Sequence, residues 1–246
     1  MNKVVIYTSV TGNYDCLKEP LVIDPRCDYI CFTNNLPAKK ETVWQYKKIP
    51  SVSDNLAILS RYPKMHPHVL LNNYNYSVYM DANIQIVDYD FYNRVFEKIS
   101  TGINLSGIKH PYRDCPYDEG YAIFSYSLDS LCNIIRTLKF LKKQGFPKHH
   151  GMFEANVIFR NHRCEQIQKQ CEEWWSLINH YSKRDQLTYS YTLWKAGIPF
   201  DYLIPETESA RDYKGFSFTP HIRKKNIFGK KLKKIGKFTF NQIINF

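Results

Sequence analysis

The sequence lacks the compact motifs by which the commonest nucleotide-binding proteins are identified. It contains neither G-x-G-x-x-G nor G-x-x-x-x-G-K-[S/T], which disfavours nicotinamide enzymes and P-loop ATPases. Its seven cysteines form no C-x-x-C pair, and their odd number argues for reduced thiols and against a zinc site. It also lacks any apolar run of the roughly 18–20 residues that span a bilayer.

The amino-terminal residues lack the features of a secretion signal. Residues 1–3 lead directly into the apolar run at residues 4–7, which is too short for the apolar part of a signal peptide and has no cleavage site. We interpret this run as a first core strand. The sequence therefore predicts a cytoplasmic protein.

The composition is that of a folded domain whose positive charge is concentrated at one end. Hydrophobic residues make up 43% of the 246 residues, enough for the full core of one α/β domain. The net charge is +11, but eight of the 34 lysines and arginines follow Ile222, in a segment without acidic residues. We therefore predict a domain over residues 1–222 and a basic tail over residues 223–246. Apolar residues interleave with these lysines, which is typical of an amphipathic segment on an anionic membrane surface; a solvated terminus is the alternative.

Apolar runs and amphipathic runs alternate along the body of the chain. Strand-like patterns occur at residues 4–10, 28–33, 44–49, in the run that leads into Asp81, and at residues 103–108 and 155–160. Helical patterns occur at residues 56–62, 91–99, 126–144, 165–182 and 187–196. This alternation predicts an α/β domain with a mainly parallel sheet flanked by helices. Ligands of such sheets bind at the carboxyl ends of the strands.

The most informative stretch is Asp81-Ala82-Asn83, which separates two apolar runs. Side chains two residues apart point the same way if the backbone is extended. Hard oxygen ligands at the end of a buried strand suit Mg²⁺ or Mn²⁺, which in turn hold a diphosphate. Nucleotide-sugar glycosyltransferases place an Asp-x-Asp motif in this context. A surface turn is the alternative, because Asp and Asn are common in turns.

Five motifs in order resemble one protein family. They are Arg-Tyr-x-Lys at residues 61–64, Tyr-Met-Asp-Ala-Asn-Ile at 79–84, His-Pro-x-Arg-Asp-Cys-x-Tyr-Asp-Glu at 110–119, Glu-Ala-Asn-Val-Ile-x-Arg-Asn-His at 154–162, and Lys-Arg-Asp-Gln at 183–186. The series resembles a bacterial and plant glycosyltransferase-like family that was formerly a domain of unknown function. Its plant branch includes mucilage and rhamnogalacturonan-I galacturonosyltransferases. The resemblance covers roughly residues 3–222.

The resemblance implies a GT-A-like single domain, a metal-bound nucleotide diphosphate sugar and transfer to a glycan. Asp81 would coordinate Mn²⁺ or Mg²⁺ with the help of Asn83, and the metal would neutralise the leaving group. Because Asn is a neutral ligand, metal binding would be weaker than with Asp-x-Asp, or one residue would bind ribose instead. His221 is a candidate late metal ligand, as in glycogenin-like enzymes; an exposed histidine is the alternative. Arg61 and Lys64 are candidates for phosphate binding, with a solvated helix face as the alternative.

Further candidates concern the sugar and the acceptor. Asp185 and Gln186 resemble the Asp-Gln pair that retaining GT-A enzymes hold near the anomeric carbon; an acid favoured by the helix dipole is the alternative for Asp185. Glu154 is a third catalytic candidate, as a general base or a sugar contact. Four polar residues are candidates for acceptor or sugar contacts, namely His110, Arg113, Asp118 and Glu119. The sequence does not choose between a retaining and an inverting course.

The predicted protein is thus a cytoplasmic glycosyltransferase of surface polysaccharide biosynthesis, peripheral on the inner face of the cell membrane. Its donor is predicted to be UDP-linked, and its acceptor a glycan or lipid-linked glycan. One rival hypothesis is nucleic-acid binding by the tail, which the near-neutral body and the absence of recognisable binding motifs oppose. A second is a metal-dependent hydrolase in which His66, His68 and His110 join Asp81; these histidines do not form H-E-x-x-H.

Overall fold

A six-stranded sheet forms the centre of the computed structural model, which describes residues 4–12, 15–37, 41–219 and Phe240. In chain order the strands are β1 (Val4–Val10), β2 (Cys27–Thr33), β3 (Gln45–Lys48), β4 (Tyr76–Met80), β5 (Ile84–Ile86), β6 (Leu105–Lys109), β7 (Phe153–Asn161) and β8 (Phe216–Phe218). The sheet order is β3-β2-β1-β4-β7-β6, and β5 pairs with β8 in a separate ribbon. Strands β1 to β4 are parallel, whereas β7 runs antiparallel to both of its neighbours. The predicted α/β architecture with a mainly parallel sheet is confirmed.

Eight helices cover the sheet within the described residues. They are α1 (Leu56–Leu59), α2 (Arg61–Met65), α3 (Pro67–Leu70), α4 (Asp90–Ser100), α5 (Pro116–Ser125), α6 (Leu131–Lys143), α7 (Glu165–His180) and α8 (Gln186–Lys195). Buried side chains form one apolar cluster that includes α4 and another that includes α7, and alternate residues of β1 contribute to each. A third cluster joins α5, α6 and α8 and includes the fully buried ring of Phe240. None of the helices in the described residues is long and apolar enough to cross a bilayer.

The helix predicted over residues 91–99 is present as α4, but the other helices between residues 56 and 144 differ from the sequence prediction. The pattern at residues 56–62 forms two of three short helices, because Pro63 and Pro67 lack the amide hydrogen that a continuous helix needs. The helix predicted over residues 126–144 begins only at Leu131, where the Ser130 side chain caps it. Helix α5 was not predicted, although Pro116 at its first turn is a known start signal.

Candidate functional site

Several predicted site residues meet at the edge of the sheet where the parallel strands end. Tyr7 of β1 pairs with Tyr79 of β4, so the two strands end side by side. Asp81 follows β4 directly, and its amide donates to the carbonyl of Asn156 at 2.8 Å. Asp81 therefore occupies the carboxyl end of a buried parallel strand, as the sequence predicted.

Lys64 is a buried cation between two carboxylates. Its Nζ lies 2.5 Å from Asp185 Oδ2 and 3.9 Å from Asp81 Oδ1, although the residue is only 3% exposed. Arg61 places a second cation near the same group, with Nη2 at 3.5 Å from Asp185 Oδ1. The structure thus brings four predicted residues from α2, the turn after β4 and the start of α8 into one charge cluster. The alternative of a solvated helix face is wrong for Lys64.

Aromatic rings surround the ammonium group of Lys64, and a buried arginine binds its backbone carbonyl. Its Nζ lies 4.8 Å from the centre of the Tyr79 ring and 5.7 Å from that of Trp174, within the range of cation–π attraction. Arg160, which is fully buried, donates through Nη1 to the Lys64 carbonyl at 2.6 Å. Strand β7 therefore fixes the position of helix α2 beneath the cluster.

Asp185 is held in its ionised form. Burial alone would raise the pKa of this carboxyl, but the charges of Lys64, Arg61 and Arg184 outweigh burial and hold the pKa well below its usual range. Its side chain makes no capping hydrogen bond at α8 within the described residues. Asp185 therefore offers ionised oxygens inside the cluster. It also stands directly at the start of α8, so the alternative of an acid favoured by the helix dipole applies to the same position.

The Asp81–Asn83 segment forms a tight turn with one unused oxygen. The Tyr79 hydroxyl donates to Asp81 Oδ1 at 2.9 Å, and burial, followed by the charge of Asp81, raises the pKa of Tyr79 so that it remains a donor. Asn83 is only 3% exposed and donates through Nδ2 to the Thr219 carbonyl at 3.0 Å. Its Oδ1 is buried and has no hydrogen-bond partner among the residues that the structure describes. The backbone here is a turn and not the extended conformation in which the two side chains would point the same way. A buried oxygen without a donor, two residues from the carboxylate of Asp81, is nevertheless a ligand type that Mg²⁺ and Mn²⁺ prefer.

The carboxyl-terminal part of the domain reaches this turn. Phe218 of β8 pairs with Ile84 of β5, and the Thr219 amide donates to the Asn83 carbonyl at 2.8 Å. His221, two residues further along the chain, lies outside the described residues, so its predicted role as a metal ligand stays a prediction.

Gln186 and Glu154, two of the predicted catalytic residues, bind groups outside the charge cluster. Gln186 accepts from the Ala155 amide at 3.0 Å and donates to the Phe153 carbonyl at 2.5 Å, so its amide anchors the start of β7. Glu154 Oε1 lies 2.7 Å from Arg211 Nη1, and Oε2 accepts from the Ala210 amide at 3.3 Å. The predicted Asp-Gln pair is therefore divided between the charge cluster and a backbone anchor.

Three of the four predicted acceptor residues, His110, Arg113 and Glu119, form a second cluster, whereas Asp118 lies near Cys115 and His149. Arg113 Nε lies 2.5 Å from Glu119 Oε2, and His110 Nδ1 accepts from the Arg113 amide at 3.0 Å. Burial, with Arg113 and Arg211, lowers the pKa of His110 to about 4, so this ring is neutral at physiological pH. Burial raises the pKa of Glu119 even though Arg113 opposes the shift. The charge of Arg184 helps to lower the pKa of Asp185 and opposes the rise in the pKa of Glu119.

Two residues of this site were missed by the sequence reasoning. Arg184 lies inside the Lys-Arg-Asp-Gln motif, which was a sufficient signal, whereas nothing local indicated Arg211 as the partner of a glutamate 57 residues away. The ligand set of the hydrolase hypothesis is not assembled. His68 Nε2 lies 2.9 Å from Glu172 Oε1, with His66 beside it, and no histidine of the described ranges joins Asp81 in a three-ligand cluster.

Comparisons with known proteins relate this chain to one family and to several solved structures. A family model described as TOD1/MUCI70, glycosyltransferase-like domain, matches residues 53–204, which is more than half of the chain. Core-mannan synthase A from Aspergillus fumigatus is similar at 12% identity with a TM-score of 0.45, over 78% of this chain and 69% of that one. Mouse xyloside xylosyltransferase 1 is similar at 8% identity with a TM-score of 0.44, over 81% and 84% of the two chains. No curated protein sequence matched. The family match confirms the resemblance that the five motifs predicted, and no residue role is taken from the two structures.

Proposed function

This chain belongs to the TOD1/MUCI70 glycosyltransferase-like family, and we propose that it transfers a sugar from a nucleotide diphosphate sugar to a glycan acceptor with the help of a divalent metal. The observation that carries this proposal is the buried cluster of Lys64, Arg61, Asp81 and Asp185 at the carboxyl edge of the sheet. Two cations beside an oxygen-rich turn match a diphosphate together with its metal.

The donor half of the site consists of α2 and the turn after β4. Asp81 and the unused Oδ1 of Asn83 would hold Mn²⁺ or Mg²⁺. When bound, such an ion would neutralise the diphosphate leaving group as a Lewis acid. Lys64 supplies a positive charge from the protein interior, where the low dielectric makes it more effective than a surface lysine. Arg61 adds a planar group that can contact phosphate oxygens in bidentate fashion.

Asp185 is proposed to orient the donor sugar. Because neighbouring cations keep it ionised, it can accept hydrogen bonds from sugar hydroxyls across the physiological pH range. The His110, Arg113 and Glu119 cluster is proposed to contact the acceptor. Burial raises the pKa of Glu119, which is the direction of shift expected of a general base.

The finer proposals are a UDP-linked donor and a role in surface polysaccharide biosynthesis at the inner face of the cell membrane. The support for this location is the concentration of basic and apolar residues after Ile222. A lipid-linked glycan is the acceptor that such a location favours. The rival nucleic-acid hypothesis has no support in the acidic and mixed-charge site described above.

A thermal-shift screen of sugar nucleotides with and without Mn²⁺ tests the function. A ligand that binds only the folded state raises the melting temperature by mass action, and we expect a shift that requires both metal and nucleotide. The Asp81→Ala variant should lose the shift, whereas Glu97→Ala, which removes an exposed carboxylate on α4, should retain it. Folded wild-type protein that no sugar nucleotide stabilises, and that transfers no sugar, would contradict the proposal.

A further inference from the structure

A second group of metal-binding side chains lies outside the proposed donor site. Cys115, Asp118 and His149 each offer one ligand atom, and these atoms lie within 4.8 Å of one another. Among the residues that the structure describes, this is the one group of three or more such side chains. We call it the cysteine–histidine cluster.

Two members of the cluster come from the start of helix α5. Cys115 immediately precedes the helix and is only 1% exposed, and its thiol makes no capping hydrogen bond within the described residues. Asp118 lies three residues later in the first turn, so the two side chains are on the same side of the helix start. A buried, uncommitted thiol is thus placed next to a carboxylate.

The third member is brought in by the loop between α6 and β7. His149 has a φ of +55°, an unfavourable conformation for a residue with a Cβ. Its Nδ1 lies 2.8 Å from Asp114 Oδ1, and the carbonyl of Asp114 accepts from the Gly151 amide at 3.0 Å. A carboxylate that binds one imidazole nitrogen fixes the ring and leaves Nε2 to bind a metal.

We propose that the cysteine–histidine cluster binds a transition-metal ion, preferentially Zn²⁺. Thiolate, imidazole and carboxylate are the ligand types of protein zinc sites, and the thiolate excludes a preference for Mg²⁺ or Ca²⁺. Zinc–ligand distances of about 2.0–2.3 Å at tetrahedral angles separate ligand atoms by about 3.3–3.8 Å. Closing the cluster from at most 4.8 Å needs movements of at most about 1.5 Å, and the exposed His149 side chain can supply part of them.

The proposed ion would tie α5 to the segment that leads into β7. Arg113 and Glu119 flank the α5 ligands, and Glu154 follows His149 by five residues, so the ion would fix the wall of the predicted acceptor site. Three protein ligands leave one position for water. The sequence lacks a C-x-x-C pair, and this absence had argued against a zinc site. The cluster has no such local signature because His149 lies 31 residues beyond Asp118, and only the fold brings the two together.

Cobalt substitution tests this proposal on the full chain. The protein is stripped with a chelator and titrated with Co²⁺, and we expect one equivalent to produce a thiolate-to-cobalt charge-transfer band. The Cys115→Ser and His149→Ala variants should lose the band. Matched variants at exposed positions, Cys132→Ser and His180→Ala, should retain it. Asp114→Asn should weaken binding about 10–100-fold, the usual effect of removing a carboxylate that orients a ligand histidine.

The wild-type spectrum decides the question even if a variant fails to fold. A band that appears in Asp81→Ala as strongly as in wild type places the ion away from the donor site. If folded wild-type protein shows no thiolate band at stoichiometric Co²⁺, or if Cys115→Ser retains it, the proposal is wrong. Zn²⁺ should also raise the melting temperature of the stripped wild type but not that of Cys115→Ser.

Discussion

The Nζ of Lys64 lies 2.5 Å from Asp185 and 3.9 Å from Asp81, so one buried lysine connects two carboxylates that are 104 residues apart in the sequence. This contact joins helix α2 to the start of helix α8. It also means that neither carboxylate can be changed without altering the electrostatic environment of the other.

Lys64→Met should reduce both stability and donor binding. Breaking a buried ion pair on one side typically costs about 3–5 kcal/mol, because the remaining charge stays buried. Here Arg61 at 3.5 Å compensates in part, so we expect a loss at the lower end of that range. Urea unfolding and nucleotide titration of Lys64→Met, Lys64→Arg and the exposed Lys47→Met measure the two effects.

The Lys64→Arg variant keeps the positive charge but changes the shape of the side chain, so it distinguishes the effects of the two. It should recover part of the stability because the positive charge is kept. An unaltered nucleotide affinity in folded Lys64→Met would show that Lys64 is only structural, and it would leave Arg61 as the phosphate ligand.

Changes at the turn after β4 should separate metal binding from folding. Asp81→Ala should abolish transfer with little loss of stability, because the side chain is partly exposed at a strand end. Asn83→Asp adds a charged ligand but removes the donor to Thr219, so the metal-free variant should lose about 1–3 kcal/mol and Mn²⁺ should restore part of it. Melting temperatures with and without Mn²⁺ test this. A variant that Mn²⁺ leaves unchanged would remove Asn83 from the metal site.

The sequence predicted the sheet and the turn after β4 because both depend on local patterns. Buried strands are continuous apolar runs, and Asp81-Ala82-Asn83 interrupts one of them at its end. The sequence did not predict that Lys64 is buried, because its partner Asp185 is 121 residues away and a lysine between apolar residues also fits a solvated helix face. The backbone role of Gln186 was equally invisible, since it depends on where β7 begins.

Asp185 and Gln186 should respond differently to substitution. Asp185→Asn should reduce turnover more than donor affinity if the carboxylate acts at the sugar, because the neutral side chain keeps the shape but loses the charge. Gln186→Leu should mainly reduce stability, since it leaves the Ala155 amide and the Phe153 carbonyl without their partner. Steady-state kinetics and urea unfolding on both variants make the comparison. The reverse pattern would assign catalysis to Gln186.

The lowered pKa values of His162 and His110 predict a loss of stability at moderately acid pH. Burial lowers the pKa of His162 and of His110 to about 4, against about 6.5 in an unfolded chain. Between these values the unfolded state binds protons that the folded state does not, so the free energy of unfolding falls as pH falls from about 6.5 to 4. Each histidine contributes a slope of at most about 1.4 kcal/mol per pH unit. The raised pKa of Glu119 acts in the opposite direction but is a single group.

The slope is measured by urea unfolding at several pH values. His162→Gln should flatten the dependence, whatever its effect on stability at pH 7, while the exposed His180→Gln should not. If the free energy of unfolding depends on pH equally in wild type and in His162→Gln, then folding does not lower the pKa of His162.

The basic tail should bind anionic membranes through its lysines. Because Phe240 packs into the domain, this prediction is better tested by substitution than by truncation. The ring of Phe240 is fully buried and lies 5.7 Å from that of Phe124 and 5.5 Å from that of Tyr121. A chain ending at Ile222 would lose both the charges and this packing. Replacing Lys230, Lys231, Lys233 and Lys234 by Gln removes only charge, whereas Phe240→Ala removes only the ring.

The two variants should behave in opposite ways in a liposome sedimentation assay. Each lysine near an anionic surface contributes roughly 1 kcal/mol, so the charge variant should bind roughly a hundredfold to a thousandfold more weakly, and wild type should detach at high salt. Phe240→Ala should bind liposomes as wild type does but melt at a lower temperature, because a buried aromatic contact is lost. Undiminished binding of the charge variant would exclude the tail as the membrane anchor. A binding loss confined to Phe240→Ala would instead mean that the packing of Phe240 against α5 is needed for membrane binding.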